Sequence, residues 1–82
     1  ATLRPTFAAP YNNAGLLLLT CGRLEQAQAM FRRAIELAPA IAQQHVNLGV
    51  TLASMRDRGS AIDAFTAALA IDPDHSVARA HR

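Results

Sequence analysis

Residues 8–41 read AAPYNNAGLLLLTCGRLEQAQAMFRRAIELAPAI, and residues 42–75 read AQQHVNLGVTLASMRDRGSAIDAFTAALAIDPDH. The two stretches have the same length of 34 residues, and several residues recur in the same order. These identities are Ala8 and Ala42, Asn13 and Asn47, Gly15 and Gly49, Leu18 and Leu52, Ala27 and Ala61, Phe31 and Phe65, Ala34 and Ala68, and Pro39 and Pro73. A fixed period of this length indicates a tandem structural repeat.

Each repeat contains two stripes of apolar or small residues at helical spacing. Residues three, four and seven apart share one face of a helix, whereas strands would require alternation. The first stripes are Tyr11, Ala14, Gly15 and Leu18, then His45, Leu48, Gly49 and Leu52; the second are Ala27, Phe31 and Ala34, then Ala61, Phe65 and Ala68. We therefore predict helices near residues 8–21, 25–38, 42–55 and 59–71, and a further helix from about residue 76, capped by Asp74 or Ser76.

Glycine and proline mark the boundaries of these helices. Gly22 offers a turn with a left-handed backbone, and Pro39 and Pro73 end the second helix of each repeat. The second turn, Met55-Arg56-Asp57-Arg58-Gly59, has its glycine three positions late relative to Gly22, and it is predicted to differ locally. Between the two helices of a repeat, we expect Gly15 to lie against Ala27, with Phe31 filling the space beside them.

The composition agrees with an all-helical chain and excludes several classes of protein. Half of the 82 residues are apolar, and alanine and leucine, which favour helices, are abundant. The net charge of +2 is too small, and the arginines too scattered, to indicate nucleic-acid binding. Cys21 is the only cysteine, which excludes an intrachain disulfide. The run of leucines at 16–19 is far too short to span a membrane.

These residues resemble the tetratricopeptide repeat, whose signature runs over 34 residues as a bulky residue, Leu-Gly, a second bulky residue, Ala, Phe, Ala and Pro. The chain matches this signature twice, with His45 at the first bulky position of the second copy and Leu18 and Leu52 where tyrosine is usual. The resemblance implies an all-α fold in which antiparallel helix-turn-helix repeats stack in a right-handed superhelix, an α-solenoid. It also implies a scaffold for protein–protein interaction.

The repeat register predicts how the chain is divided. Residues 8–41 and 42–75 form two full repeats, residues 1–7 end a preceding repeat at Pro5, and residues 76–82 begin a third repeat or a capping helix. The pattern thus starts and stops within repeats, and we expect a fragment of a longer array. Because repeats form their core by stacking, exposed apolar ends favour association between chains.

The resemblance also predicts a binding surface, since the first helix of each repeat lines the concave face in this family. The candidate groove residues are Ala9, Asn12, Asn13, Leu16 and Thr20 in the first repeat, and Gln43, Val46, Asn47, Val50 and Ser54 in the second. The set is uncharged, and Asn13 and Asn47 are equivalent. This is similar to the asparagine ladder of the repeat region of O-linked N-acetylglucosamine transferases, which suggests that these amides bind a peptide backbone. The clamp for a terminal carboxylate found in chaperone-binding repeats is not supported, because only Asn47 matches it.

No reactive constellation is recognisable, and we expect neither an enzyme nor a bound cofactor or metal. His75 and His81 are six residues apart, which does not suit ligands on one helix, and His45 is expected to be packed. Cys21 has no identifiable partner base and is predicted to be a buried thiol. Asp72 and Asp74 flank a proline and are expected to form local hydrogen bonds in a turn.

The leading hypothesis is a protein-interaction module, with a protein or peptide as its partner and no nucleic acid or membrane span. Two alternatives stay open: self-assembly of the repeats into a homo-oligomer, and an accessory region of a larger enzyme such as a glycosyltransferase. A cytoplasmic location is expected.

Overall fold

The structure, a computed structural model, describes residues 5–75 and 78–79, with side chains described from residue 8 onward. Within this part of the chain, four long helices follow one another: α1 spans Pro5–Thr20, α2 Leu24–Leu37, α3 Ala42–Ser54 and α4 Arg58–Ile71. α1 packs against α2, α3 packs against α4, and α2 packs against α3. Two antiparallel helical hairpins are therefore stacked side by side, which confirms the all-α repeat architecture.

The helix boundaries match the predictions closely except at the beginning of α1. This helix begins at Pro5, three residues earlier than predicted. Proline suits the first turn of a helix because the N–H that it lacks has no partner there. The predicted role of residues 1–4, and most of the predicted helix from residue 76, lie outside the described residues. Residues 78–79 are helical, and Ala78 is buried in the core.

The two hairpin turns have the same backbone, which corrects the prediction that the second one differs. Gly22 has φ +79° and Arg56, its repeat equivalent, has φ +65°. In each turn this residue donates its N–H to the carbonyl three residues before it, and the next N–H bonds the carbonyl five residues before it. Arg56 thus adopts the left-handed conformation that the sequence had suggested only a glycine would take. Gly59 lies instead inside α4.

The core of each hairpin is built around a phenylalanine ring pressed against a glycine. A Cβ built on Gly15 would lie 2.6 Å from Cε1 of Phe31, and a Cβ built on Gly49 would lie 2.8 Å from Cε1 of Phe65. Both rings are fully buried. The sequence had predicted that Phe31 fills the space beside Gly15, and the structure confirms this contact. The glycines are therefore needed to admit the ring.

The second helix of each repeat ends close to the proline that was predicted to end it. α2 and α4 each end two residues before a proline, and the cap residues Ala38 and Asp72 still bond back to the helix through their N–H groups. After α4, the Asp72 carboxylate accepts a hydrogen bond from the Asp74 N–H at 3.2 Å, so the local bonding predicted for this turn is confirmed at Asp72. This turn brings His75 back toward α3.

Candidate functional site

The candidate site is the surface of α1 and α3 that carries the predicted groove residues. On α1, Ala9, Asn13, Leu16 and Thr20 are exposed, and Asn12 is half-buried. On α3, Gln43 and Ser54 are exposed, and Val50 is half-buried. These side chains include amides, hydroxyls and aliphatic groups but no charge.

Two predicted groove residues are placed differently. Val46 is only 2% exposed and belongs to the main core cluster, so it is not accessible to a ligand. Asn47 is 7% exposed. The prediction treated Asn13 and Asn47 as equivalent positions along the groove, yet Asn13 lies on the surface while Asn47 is covered. The difference arises because α1 packs beside α3 and shields Asn47, whereas no described element shields Asn13.

Asn47 belongs to a chain of hydrogen bonds that crosses from one hairpin to the other. Its Nδ2 donates to Oδ1 of Asn12 on α1 at 2.9 Å. Its Oδ1 accepts a hydrogen bond from Nε2 of Gln43, one turn earlier on α3, also at 2.9 Å. The Gln43 Oε1 accepts a hydrogen bond from Nε2 of His75, which lies just after α4, at 2.8 Å. We call these four side chains the amide relay.

The amide relay satisfies polar groups that burial would otherwise leave unpaired. A buried amide without partners costs about 1–3 kcal/mol, and Asn47 is bonded at both ends of its amide. The relay was not predicted, although one signal was available: Asn12 and Asn47 are 35 residues apart, one more than the repeat period. Two residues at this offset lie on the facing sides of the first helices of neighbouring repeats.

Other buried polar groups of α3 serve the helix itself. Thr51 is fully buried, and its hydroxyl donates to the carbonyl oxygen of Asn47 at 2.8 Å. His45 is half-buried, and its Nε2 donates to the carbonyl oxygen of Pro39 at 2.9 Å, which agrees with the packed histidine expected from the sequence. The Thr51 bond lies within α3, whereas the His45 bond ties α3 to the segment that follows α2.

A deeper depression lies elsewhere on the molecule. A cleft of about 460 Å³ opens between α2 and α4, with α3 as its floor. It is lined by Arg32, Ile35, Glu36, His45, Leu48, Leu52, Ser60, Asp63 and Ala64. None of these belongs to the predicted groove. The cleft is therefore distinct from the candidate site.

Charged groups are concentrated away from the candidate site. The Arg33 guanidinium bonds the Glu36 carboxylate at 2.8 Å and stacks over the ring of Tyr11, with 5.8 Å between its carbon and the ring centroid. The hydrogen bond to Glu36, followed by that to Tyr11, raises the pKa of Arg33 above its usual value. This exposed cluster joins α1 to α2.

The chemical groups considered for catalysis or metal binding do not converge in the described residues. No group of three or more histidine, cysteine, aspartate or glutamate side chains that could hold a metal ion occurs among them. Cys21 is exposed in the turn after α1, which corrects the prediction of a buried thiol. None of the described helices is long and apolar enough to cross a membrane.

Comparison with protein families identifies the kind of repeat. The family model described as the tetratricopeptide repeat matches residues 8–41 and, a second time, residues 42–75. Proteins with such repeats generally act in protein–protein interaction. No curated protein matches the chain significantly.

Proposed function

This chain belongs to the tetratricopeptide-repeat family, and we propose that it binds an extended peptide segment of a partner protein along the exposed surface of α1 and α3. The observation that carries the proposal is the uncharged stripe of Ala9, Asn13, Leu16 and Thr20 on α1, all of them exposed. In this family the first helix of each repeat lines the concave face, and α1 and α3 are those helices.

The stripe offers two kinds of contact to such a peptide. The Asn13 amide is exposed, has no hydrogen-bond partner among the described residues, and can donate to or accept from a peptide backbone. Leu16, 40% exposed, offers an apolar surface one turn further along the helix. Main-chain hydrogen bonds provide affinity for many sequences, and an apolar contact adds preference for particular side chains. The module acts by binding rather than by catalysis.

A peptide selection on the intact chain tests this proposal. Phage displaying random ten-residue peptides are selected on the wild-type protein and then compared on Asn13→Ala and Leu16→Glu variants. We expect both substitutions to weaken binding, Asn13→Ala by about threefold to tenfold, the range of one hydrogen bond. Ala29→Glu is the matched control, because Ala29 is exposed on α2 and outside the stripe. Equal binding by all four proteins would refute the groove.

One comparison between the repeats favours a second candidate function, which is self-association through the ends of the stack. Leu17 on α1 is 66% exposed, whereas its repeat equivalent on α3, Thr51, is 0% exposed because α2 covers α3. On α4, Ile62 is 48% exposed. α4 of a second chain could therefore cover α1 in the way that α2 covers α3, which would bury both apolar side chains.

Sedimentation velocity over a wide range of protein concentration tests self-association. We expect the mean mass to rise with concentration, and Leu17→Glu to suppress the rise while Ala29→Glu leaves it unchanged. Leu17→Glu should not disturb folding, since the side chain is mostly exposed within one chain. A strictly monomeric wild-type protein at the highest concentration would rule out this function and leave the groove proposal intact.

A further inference from the structure

The amide relay has a direction. His75 donates to Gln43, Gln43 donates to Asn47, and Asn47 donates to Asn12, so the Gln43 and Asn47 amides each accept on one side and donate on the other. The Gln43 Oε1 can only accept, and therefore the proton of the neutral His75 ring must be on Nε2. Its Nδ1 is buried and has no partner in the described part of the chain.

The relay ends at Asn12, whose amide has only its Nδ2 group left to bind a ligand. Its Oδ1 is engaged by Asn47, and its Nδ2 has no partner among the described residues. Rotating this amide by half a turn would bring two N–H groups face to face and break the bond to Asn47. As long as His75 donates from Nε2 and the relay keeps this direction, Asn12 therefore offers a donor. An amide that accepts a hydrogen bond at its oxygen is also a stronger donor, by about 10–30% per bond in a chain.

We propose that Asn12 Nδ2 is a binding group, which donates to a main-chain carbonyl of the peptide, and that Asn47, Gln43 and His75 are positioning residues that hold it. This inference rests on the proposed function. Asn13, its neighbour, can rotate and serve as donor or acceptor, so it tolerates either a carbonyl or an N–H group of the peptide. Asn12, held by Asn47, offers only a donor, and it therefore requires a peptide register that presents a carbonyl oxygen.

A neutral carbonyl suits this site better than a carboxylate. The groove side chains of α1 and α3 carry no charge, and Arg33, which stacks over Tyr11 of α1, is already paired with Glu36. A carboxylate in the groove would lose hydration without gaining a cation. A peptide carbonyl needs only the single donor that Asn12 offers.

The test uses the peptide obtained from the ten-residue library, resynthesised with each main-chain amide replaced in turn by an ester. An ester carbonyl is a weaker acceptor than an amide carbonyl. We expect one position at which the ester weakens binding to the wild-type chain by about threefold to tenfold, the range of one hydrogen bond. With Asn12→Ala, binding should be weaker overall, and the penalty at that position should disappear.

Two further variants separate binding from folding. Asn12→Asp keeps an oxygen that accepts from Asn47 but replaces the donor, so it should lose the ester penalty while the fold persists. Gln43→Ala should reduce the ester penalty, because it releases Asn47. A change that affected only the fold would leave the ester penalty in place. Asn13→Ala should weaken binding but leave the penalty in place.

The outcomes distinguish this inference from the proposed function. If Asn13→Ala and Leu16→Glu weaken binding while Asn12→Ala and Asn12→Asp keep the full ester penalty, the groove is correct and the role of Asn12 is wrong. If no peptide prefers the wild-type chain over Leu16→Glu, both fail. Nitrogen-15 spectra of the free chain check the relay without any peptide: the neutral His75 ring should carry its proton on Nε2, and a proton on Nδ1 would overturn the stated direction.

Discussion

Two glycines of α1 and α3 show how a single missing methyl group shapes the fold. Alanine is favoured over glycine within a helix by about 1 kcal/mol. At Gly15 and Gly49, however, the added Cβ would lie 2.6 Å and 2.8 Å from a buried phenylalanine ring. Neither ring can move without displacing other parts of a closely packed core.

We predict that Gly15→Ala and Gly49→Ala each destabilise the chain by about 1–3 kcal/mol, the usual cost of overpacking. Gly59→Ala is the control, because Gly59 lies in α4 with nothing within 4 Å of an added Cβ. It should be neutral or stabilising by up to about 1 kcal/mol. Urea denaturation followed by circular dichroism measures all three, and equal effects at the three sites would contradict the packing argument.

At Arg56, the backbone conformation determines the effect of a substitution. A non-glycine residue in the left-handed region is strained by roughly 1–2 kcal/mol, and Arg56 has φ +65°. Arg56→Gly removes the strain but makes the unfolded chain more flexible, so we predict a net stabilisation of about 0.5–1 kcal/mol. The reverse change in the first repeat, Gly22→Ala, should destabilise by a similar amount. Thermal unfolding of both variants provides the measurement, and a destabilised Arg56→Gly would show that its side chain has an unrecognised role.

At the scale of the helices, the two repeats differ in how their second helices begin. Asp57 caps α4 by accepting a hydrogen bond from the Ser60 N–H at 3.3 Å. Its repeat equivalent, Arg23, has no side-chain bond at the beginning of α2. The two positions have nearly the same backbone, with φ −87° and ψ 73° at Arg23 and φ −94° and ψ 77° at Asp57.

Because the backbone already suits a cap, we predict that Arg23→Asp stabilises the chain by about 0.5–1.5 kcal/mol and that Asp57→Ala destabilises it by about 1 kcal/mol. The aspartate would also replace a positive charge at the positive end of the helix dipole. Arg23→Ala separates the two effects, since it removes the charge without adding an acceptor. If Arg23→Ala raised the free energy of unfolding as much as Arg23→Asp, the cap would contribute nothing.

The positions of the helices were predictable from the sequence, whereas much of the candidate site was not. Helical spacing, Gly22 and the two prolines reflect local chemistry, so the helix boundaries fall close to the predicted ones. The burial of Val46 and Asn47 depends on how closely α1 approaches α3, which is a tertiary property. Similarly, the turn at Arg56 shows that the surrounding repeat can impose a backbone that the local residue disfavours. The binding roles of the exposed groove residues stay predictions.

At the scale of the whole molecule, stability depends on contacts between neighbouring repeats. α2 packs against α3, on which Gln44, Leu48 and Thr51 are buried. On α4, by contrast, Ile62 is 48% and Ile71 39% exposed. The repeat equivalent of Ile71 is Leu37 on α2, which is half-buried and packs in a smaller apolar cluster with Tyr11 and Ile41. A further repeat placed on α4 would cover it in the same way.

We therefore predict that inserting a second copy of residues 42–75 after His75 stabilises the chain and keeps unfolding cooperative. In a stack, each added unit contributes its own stability plus one new interface, so the urea midpoint should rise. The dependence of the unfolding free energy on urea should grow about one and a half-fold, because it scales with the surface exposed on unfolding and two full repeats become three. A 34-residue glycine and serine insertion at the same site is the control, and it should leave both quantities unchanged or lower the midpoint slightly. Two separate transitions, with the first at the original midpoint, would show instead that the repeats fold independently and that the interface between them adds little.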